Sequence, residues 1–166
     1  KDSGKARYEI FDQAMYTHNM NLLQVETDLR KAIDRNEFRV FYQPIVCLQT
    51  GELKEFEALI RWEHPQYGLV SPIEFVGIAE ETGLIIQIGE WILEEACRQT
   101  KVWQNLLPFQ ENLSISVNLS SKQLMHPSLI SQVKNVLEKT KLDPKYLKLE
   151  VTESIVMENA DTALEV

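Results

Sequence analysis

The sequence predicts an α/β chain in which strands alternate with helices around a largely parallel sheet. The chain has 166 residues, of which 44% are hydrophobic and 25% charged, as in an ordinary globular domain. Short segments in which apolar and polar residues alternate are separated by longer segments with the apolar spacing of a helix. Turn and capping residues separate the two kinds of segment, and strands joined by helices of this length indicate βαβ units.

The first third of the chain predicts one helix and two strands. Apolar residues recur at helical spacing from Leu22 to Ile33. The segment Arg39–Val46 predicts a strand, Gln49–Glu52 a turn, and Leu53–Trp62 a second strand.

Two helices are predicted in the middle of the chain. Ser71 suits the N-cap of the first, Pro72 its first position, and Glu74 the returning half of a capping box. Gly83 is placed to end this helix. The second helix is longer and stops near Pro108.

Two further strands are predicted in the last third, at Leu113–Leu119 and Tyr146–Val151. Between them, Ser120 and Gln123 form a capping box for a single helix whose apolar stripe ends at Leu137. One more helix is predicted from residue 158 onward.

Side chains alternate along a strand, and here the alternation gives each of the last three strands one apolar and one polar face. The polar faces each carry a carboxylate or an amide, namely Glu57, Asn118 and Glu150. Two interpretations remain open. In the first, Arg61 and Lys148 pair with the two glutamates in a structural ion-pair network. In the second, the carboxylate and amide oxygens bind a hard cation such as Mg²⁺ or Mn²⁺.

Composition excludes several classes of partner. The formal net charge is −8, from 17 basic and 25 acidic residues, and no Lys/Arg-rich run is present, so DNA and RNA are not expected partners. No segment has the length of a membrane span and no signal peptide is visible, which predicts a cytoplasmic domain, with a membrane-tethered parent protein left open. Cys47 and Cys97 match no metal or redox spacing and are expected to be reduced packing residues. The three histidines, His18, His64 and His126, are expected at surface or capping positions rather than as metal ligands.

Six sequence blocks, in order, resemble those of the EAL domain family, which hydrolyses cyclic di-GMP. The central block, Glu57–Trp62, has the pattern E-x-L-x-R-W that names the family. The other blocks are Tyr42–Ile45, Ser71–Pro72, Ala79–Leu84, Ser116–Ser120 and Leu149–Ser154. One departure is Gly77, where the family usually has proline.

The resemblance implies a modified TIM (β/α)8 barrel with its site at the carboxyl ends of the strands, of which this chain supplies about the first four strands and their helices. It assigns metal binding to Glu57, Asn118 and Glu150, with Glu57 also the catalytic residue. It places Arg61 on a substrate phosphate, and the mouth residues that contact the ligand are Gln43 and Leu59.

The implied activity is a phosphodiesterase that uses two Mg²⁺ or Mn²⁺ ions to hydrolyse cyclic di-GMP to the linear dinucleotide pGpG. The alternative is a catalytically silent module that serves as a cyclic di-GMP receptor or a regulatory, protein-interaction domain. Glu153 belongs to the last block but is expected to be structural.

The resemblance also divides the chain. Residues 1–21 are expected to be a linker and the tail of a preceding GGDEF-like domain, since Gly4–Tyr8 and Phe11–Asp12 resemble such a tail. Residues 22–166 are expected to be the front portion of an EAL domain, because a whole barrel needs about 250 residues. The family's aspartate pair, lysine and loop glutamate then lie beyond Val166. This predicts that the isolated monomer is inactive unless a second copy, as in a homodimer, supplies the missing surface.

Overall fold

The computed structural model describes the backbone of residues 13–106 and 112–151 and the side chains of residues 23–106 and 112–151. Within these ranges the strands are β1 (Phe38–Val46), β2 (Leu53–His64), β3 (Gly68–Val70), β4 (Ser114–Asn118) and β5 (Leu147–Glu150). The helices are α1 (Gln13–Ala32), α2 (Pro72–Thr82), α3 (Ile85–Leu106), α4 (Ser121–Leu124) and α5 (Leu129–Thr140). A single 3₁₀ turn, Pro144–Tyr146, precedes β5.

The strands form one sheet in the order β1-β2-β4-β5, with β3 pairing with the far end of β2. The pairs β2–β4 and β4–β5 are parallel, as expected. The pairs β1–β2 and β2–β3 are antiparallel, so the prediction of a largely parallel sheet was wrong for the pairing of β1 with β2. The reason is the short connections 47–52 and 65–67, since parallel neighbours need a crossover of a dozen or more residues.

The four strands predicted from the sequence are confirmed, with ends that differ by no more than two residues. The three-residue β3 was not predicted. The helix expected after Ser120 is two helices, α4 and α5, because Pro127 disfavours helical backbone at His126 and so interrupts the run.

The start and end of α2 follow the predicted capping residues. The backbone N–H of Ser71 donates to Glu74 Oε1 at 3.3 Å, and Pro72 is the first helical residue. Gly83 ends the helix with φ of 78°, a left-handed conformation that glycine adopts without the penalty of a Cβ.

One face of the sheet packs against helices and forms the core. At its centre, Phe38, Trp62 and Phe75 are each no more than 2% exposed, and the Trp62 ring lies 5.8 Å from that of Phe75. The indole Nε1 of Trp62 donates to Glu37 Oε2 at 3.0 Å, which gives this buried carboxylate a partner. The opposite face carries the polar residues singled out from the sequence, and we call it the inner face.

None of the helices in the described ranges has the length and hydropathy to cross a membrane. The segments that resemble a GGDEF tail (residues 4–8 and 11–12), the residue Glu153 and the helix expected from residue 158 lie outside the described residues.

Candidate functional site

Glu57 lies near the middle of the inner face. It is opposite Gln43 of β1 on one side and Ser116 of β4 on the other. The pairing of β2 with β4 ends one residue later, at Ala58 and Val117. Glu57 therefore lies at the point where the two strands begin to diverge, with its side chain half-buried.

Asn118 and Glu150 are the last residues of β4 and β5, and they are opposite each other in the sheet. Asn118 Nδ2 donates to Glu57 Oε1 at 2.8 Å, although the two residues are 61 positions apart in sequence. The N–H of Leu119 donates to the carbonyl oxygen of Glu150 at 2.8 Å, which fixes the end of β4 against β5. The fold thus brings the three residues of the predicted metal set onto adjacent strands, near the carboxyl ends of β4 and β5.

The ion-pair interpretation of the polar face is wrong for the partners that it assigned. Lys148 pairs with Glu55, a residue that the sequence reasoning did not consider. Arg61 Nη1 donates to the carbonyl oxygen of Ile60 at 2.7 Å, and its guanidinium carbon lies 5.7 Å from the centre of the Phe41 ring. Among the described side chains, no cation pairs with Glu57.

Glu55 was detectable from the sequence. It precedes Glu57 by two residues in a predicted strand, and strand alternation places such residues on one face. Its burial, however, depends on the neighbouring strands.

The three predicted substrate contacts lie on the same inner face. Gln43 is exposed and opposite Glu57, whereas Leu59 is half-buried and opposite Phe41. Arg61 is half-buried two residues beyond Leu59. One face of β2 therefore carries a row of three side chains, with the Glu57 carboxylate at one end, Leu59 in the middle and the Arg61 guanidinium at the other end.

The donor set suits a hard cation. No cluster of three or more His, Cys, Asp and Glu side chains with metal-site geometry occurs in the described parts of the chain. Glu57 and Glu150 contribute carboxylates and Asn118 an amide, and such oxygens suit Mg²⁺ and Mn²⁺ better than Zn²⁺. Three such residues do not fill an octahedral shell, so further oxygens would have to come from water, substrate or other residues.

A cavity of about 410 Å³ lies beside this site, where β2 and β4 diverge. Its lining is mostly apolar and comes from α2 and α3 together with Leu59, Asn118 and Ser120. Glu57, Arg61 and Glu150 do not line it. The charged groups of the predicted site therefore lie on the inner face and outside this cavity.

His64 is the last residue of β2 and is 4% exposed, so of the surface or capping positions predicted for it, the structure shows the capping one. Its Nδ1 accepts the backbone N–H groups of Gln66 at 3.1 Å and Tyr67 at 3.3 Å. Nε2 lies 3.4 Å from Asp28 Oδ2. A hydrogen bond from Gln24, with a smaller contribution from His64, lowers the pKa of the Asp28 carboxyl.

The turn that follows Asn118 is held by the predicted capping box. Gln123 N donates to Ser120 Oγ at 3.3 Å, and Ser120 N donates to Gln123 Oε1 at 3.1 Å. The Gln123 side chain is buried against Gly89 of α3, where a Cβ would overlap its amide. The absence of a side chain at Gly89 therefore makes room for the residue that fixes this turn.

Gly89→Ala is expected to lower the free energy of unfolding by about 1 kcal/mol, because the methyl displaces the Gln123 amide and the lost capping box outweighs the gain in helix propensity. Gly77→Ala is the matched control, since Gly77 is exposed in α2 and no atom lies within 4 Å of a Cβ there. The control is expected to raise stability by about 0.5–1 kcal/mol through helix propensity. Urea unfolding of both variants measures the difference, and equal shifts would contradict the role of Gly89.

Comparison with protein families gives a match to the EAL domain model over residues 26–166. The bifunctional diguanylate cyclase/cyclic di-GMP phosphodiesterase MucR of Pseudomonas aeruginosa is 45% identical over 164 residues, which cover 99% of this chain and 24% of MucR. The cyclic di-GMP phosphodiesterase NbdA of the same organism is 36% identical over 164 residues, which cover 99% of this chain and 21% of NbdA.

Among solved structures, the PaMucR phosphodiesterase in its c-di-GMP complex is similar with a TM-score of 0.81 and 47% identity. The match covers 86% of this chain and 57% of that one. The chain thus spans about a quarter of the length of the curated relatives and little more than half of the solved neighbour.

Proposed function

The chain belongs to the EAL domain family, whose fold is a modified TIM barrel, and on that premise we propose that it supplies part of the active site of a phosphodiesterase that hydrolyses cyclic di-GMP to linear pGpG. The observation that carries this proposal is the hydrogen bond from Asn118 to Glu57, with Glu150 opposite Asn118 on the next strand. Carboxylate and amide oxygens on three adjacent strands are ligands of the kind that a hard cation uses in metal-assisted hydrolysis.

Glu57, Asn118 and Glu150 are the residues that would hold Mg²⁺ or Mn²⁺. When bound, such ions favour hydroxide over water as the nucleophile and neutralise charge that develops on the phosphate. The chain's own contribution is to orient the ligands. Asn118 keeps Glu57 in one position through its amide N–H, and the β4–β5 pairing sets the distance to Glu150.

Arg61 is proposed to bind a substrate phosphate. Its guanidinium packs against the Phe41 ring, which limits its motion while leaving its other N–H groups available to a phosphate. Gln43 and Leu59, on the same face, are proposed to contact the rest of the ligand. A chain with a net charge of −8 binds an anion only where cations are placed locally, and the metal ions and Arg61 provide them.

The remaining parts of the proposal concern the whole protein. An upstream GGDEF domain ending near residue 21, a homodimer and a cytoplasmic location remain predictions from the sequence. The relative MucR is named as a bifunctional diguanylate cyclase/cyclic di-GMP phosphodiesterase, which favours the prediction of an upstream GGDEF domain.

The test is cyclic di-GMP turnover by the full-length protein that contains this chain, with Mg²⁺ or Mn²⁺ and with product identification by chromatography. We expect pGpG to form, and chelation of the metal with EDTA to lower the rate by at least about 100-fold, with recovery on adding metal back. Binding of cyclic di-GMP without turnover would reject the phosphodiesterase and support the receptor alternative. The absence of both binding and turnover would reject the phosphodiesterase and the receptor, and would leave the regulatory, protein-interaction domain.

A further inference from the structure

A buried carboxylate lies next to the proposed cation site and has no part in the mechanism above. Glu55 is on the inner face of β2, two residues before Glu57, and its side chain is 7% exposed. Its partner is the Lys148 ammonium, which is 58% exposed. A buried charge of this kind requires compensation, so the pairing with Lys148 stabilises Glu55 in its position.

Lys148 has three carboxylates within reach. It lies opposite Ser116, which is itself opposite Glu57, so the Cα atoms of Lys148 and Glu57 are roughly 10 Å apart across two strand spacings. Glu150 lies two residues along the same strand, roughly 7 Å away. Glu55 lies diagonally across the sheet, roughly 12 Å away.

The lysine side chain therefore extends to the most distant of the three carboxylates. Desolvation explains this choice, because a charge attracts its counterion more strongly in a buried environment than in water. Glu57 is only half-buried and already accepts the Asn118 amide, while Glu150 is exposed. Ser116 Oγ, in the row between Lys148 and Glu57, is fully buried and has no hydrogen-bond partner among the described residues, so Lys148 does not contact this nearer acceptor either.

We propose that Glu55 is a positioning residue that holds the Lys148 ammonium away from Glu57 and Glu150, so that both carboxylates stay available to a divalent cation. The inference rests on the proposed function, because it concerns the same cation site. Without Glu55, the ammonium would pair with one of the two ligands and compete with the metal ion for it.

The test compares Glu55→Gln with the double variant Glu55→Gln/Lys148→Met in the full-length protein. Both lack the Glu55 charge and differ only at the lysine. Calorimetric titration with Mn²⁺, without substrate, is expected to give an affinity about tenfold weaker for the single variant. The double variant is expected to return to within about threefold of the wild type. A role in packing alone would instead weaken both variants equally, and that result would overturn the proposal.

A metal-free crystal structure of the Glu55→Gln variant provides a readout that does not depend on activity. We expect the Lys148 Nζ to contact the carboxylate of Glu57 or Glu150. A lysine that turns to solvent instead would overturn the inference. If the wild-type protein shows no Glu57-dependent Mn²⁺ binding, the proposed function is overturned. The position of Lys148 in the crystal structure of the Glu55→Gln variant still tests whether Glu55 holds the ammonium away from Glu57 and Glu150. Because Lys148 is more than half exposed, its release leaves no buried charge, and the single variant is expected to fold.

Discussion

Glu57→Gln in the full-length protein is expected to lower kcat for cyclic di-GMP hydrolysis by at least about 100-fold. Glutamine retains an oxygen that can accept the Asn118 N–H, so the hydrogen bond across β2 and β4 is preserved. It lacks the negative charge that a carboxylate offers to a divalent cation. The expected defect is therefore in metal binding and catalysis, with little change in folding, and steady-state kinetics over a range of Mn²⁺ concentrations measure it.

Glu138→Gln is the control for this substitution, because Glu138 is an exposed carboxylate on α5. It removes the same charge from the protein and is expected to leave turnover unchanged. Thermal unfolding of both variants checks that neither has lost its structure. Wild-type turnover in Glu57→Gln at saturating metal would show that Glu57 has no role in the reaction.

Trp62→Ala is expected to lower the free energy of unfolding by about 3–5 kcal/mol. Trp62 is 1% exposed, and its ring lies within 6.2 Å of the Phe38 and Phe75 rings, centre to centre. Truncation leaves a large cavity and removes the indole N–H from Glu37, whose side chain is buried. Urea unfolding of the full-length protein, followed by circular dichroism, measures the change.

Trp62→Phe separates the two contributions, since it keeps most of the aromatic contact and removes the hydrogen bond. Its expected loss of about 1–3 kcal/mol corresponds to the Glu37 oxygen that loses the indole donor, while Arg35 Nη1 stays 3.6 Å from the other oxygen. A loss in Trp62→Ala no larger than in Trp62→Phe would show that ring packing contributes little. Such a result would contradict the assignment of this residue to the core.

The E-x-L-x-R-W motif thus combines residues with different tasks. Sequence alternation alone separates Glu57, Leu59 and Arg61 from Trp62, because side chains two apart in a strand share a face. The apolar side chains of Ala58, Ile60 and Trp62 also indicate which face packs against helices. The packing of α2 and α3 against the sheet confirms this for Trp62, and it leaves Arg61 on the opposite face beside the Phe41 ring.

Local signals predicted the elements well where the physical cause is local. The α2 start at Ser71 and its end at Gly83 depend on hydrogen bonds and backbone conformations within a few residues, so the sequence contains the whole cause. The break between α4 and α5 also had a local cause in Pro127, which the apolar periodicity of the segment obscured.

The sequence by itself determined the α/β class, the four main strands and the polar face that carries Glu57, Asn118 and Glu150. The tertiary structure decided which of these polar groups meet. The contact between Asn118 and Glu57 spans 61 residues, and the pairing of Lys148 with Glu55 spans 93, so both depend on strand order and register. Charge alone favoured Lys148 beside Glu57 or Glu150. Burial reversed that choice, because the desolvated Glu55 attracts the ammonium more strongly than carboxylates nearer to water.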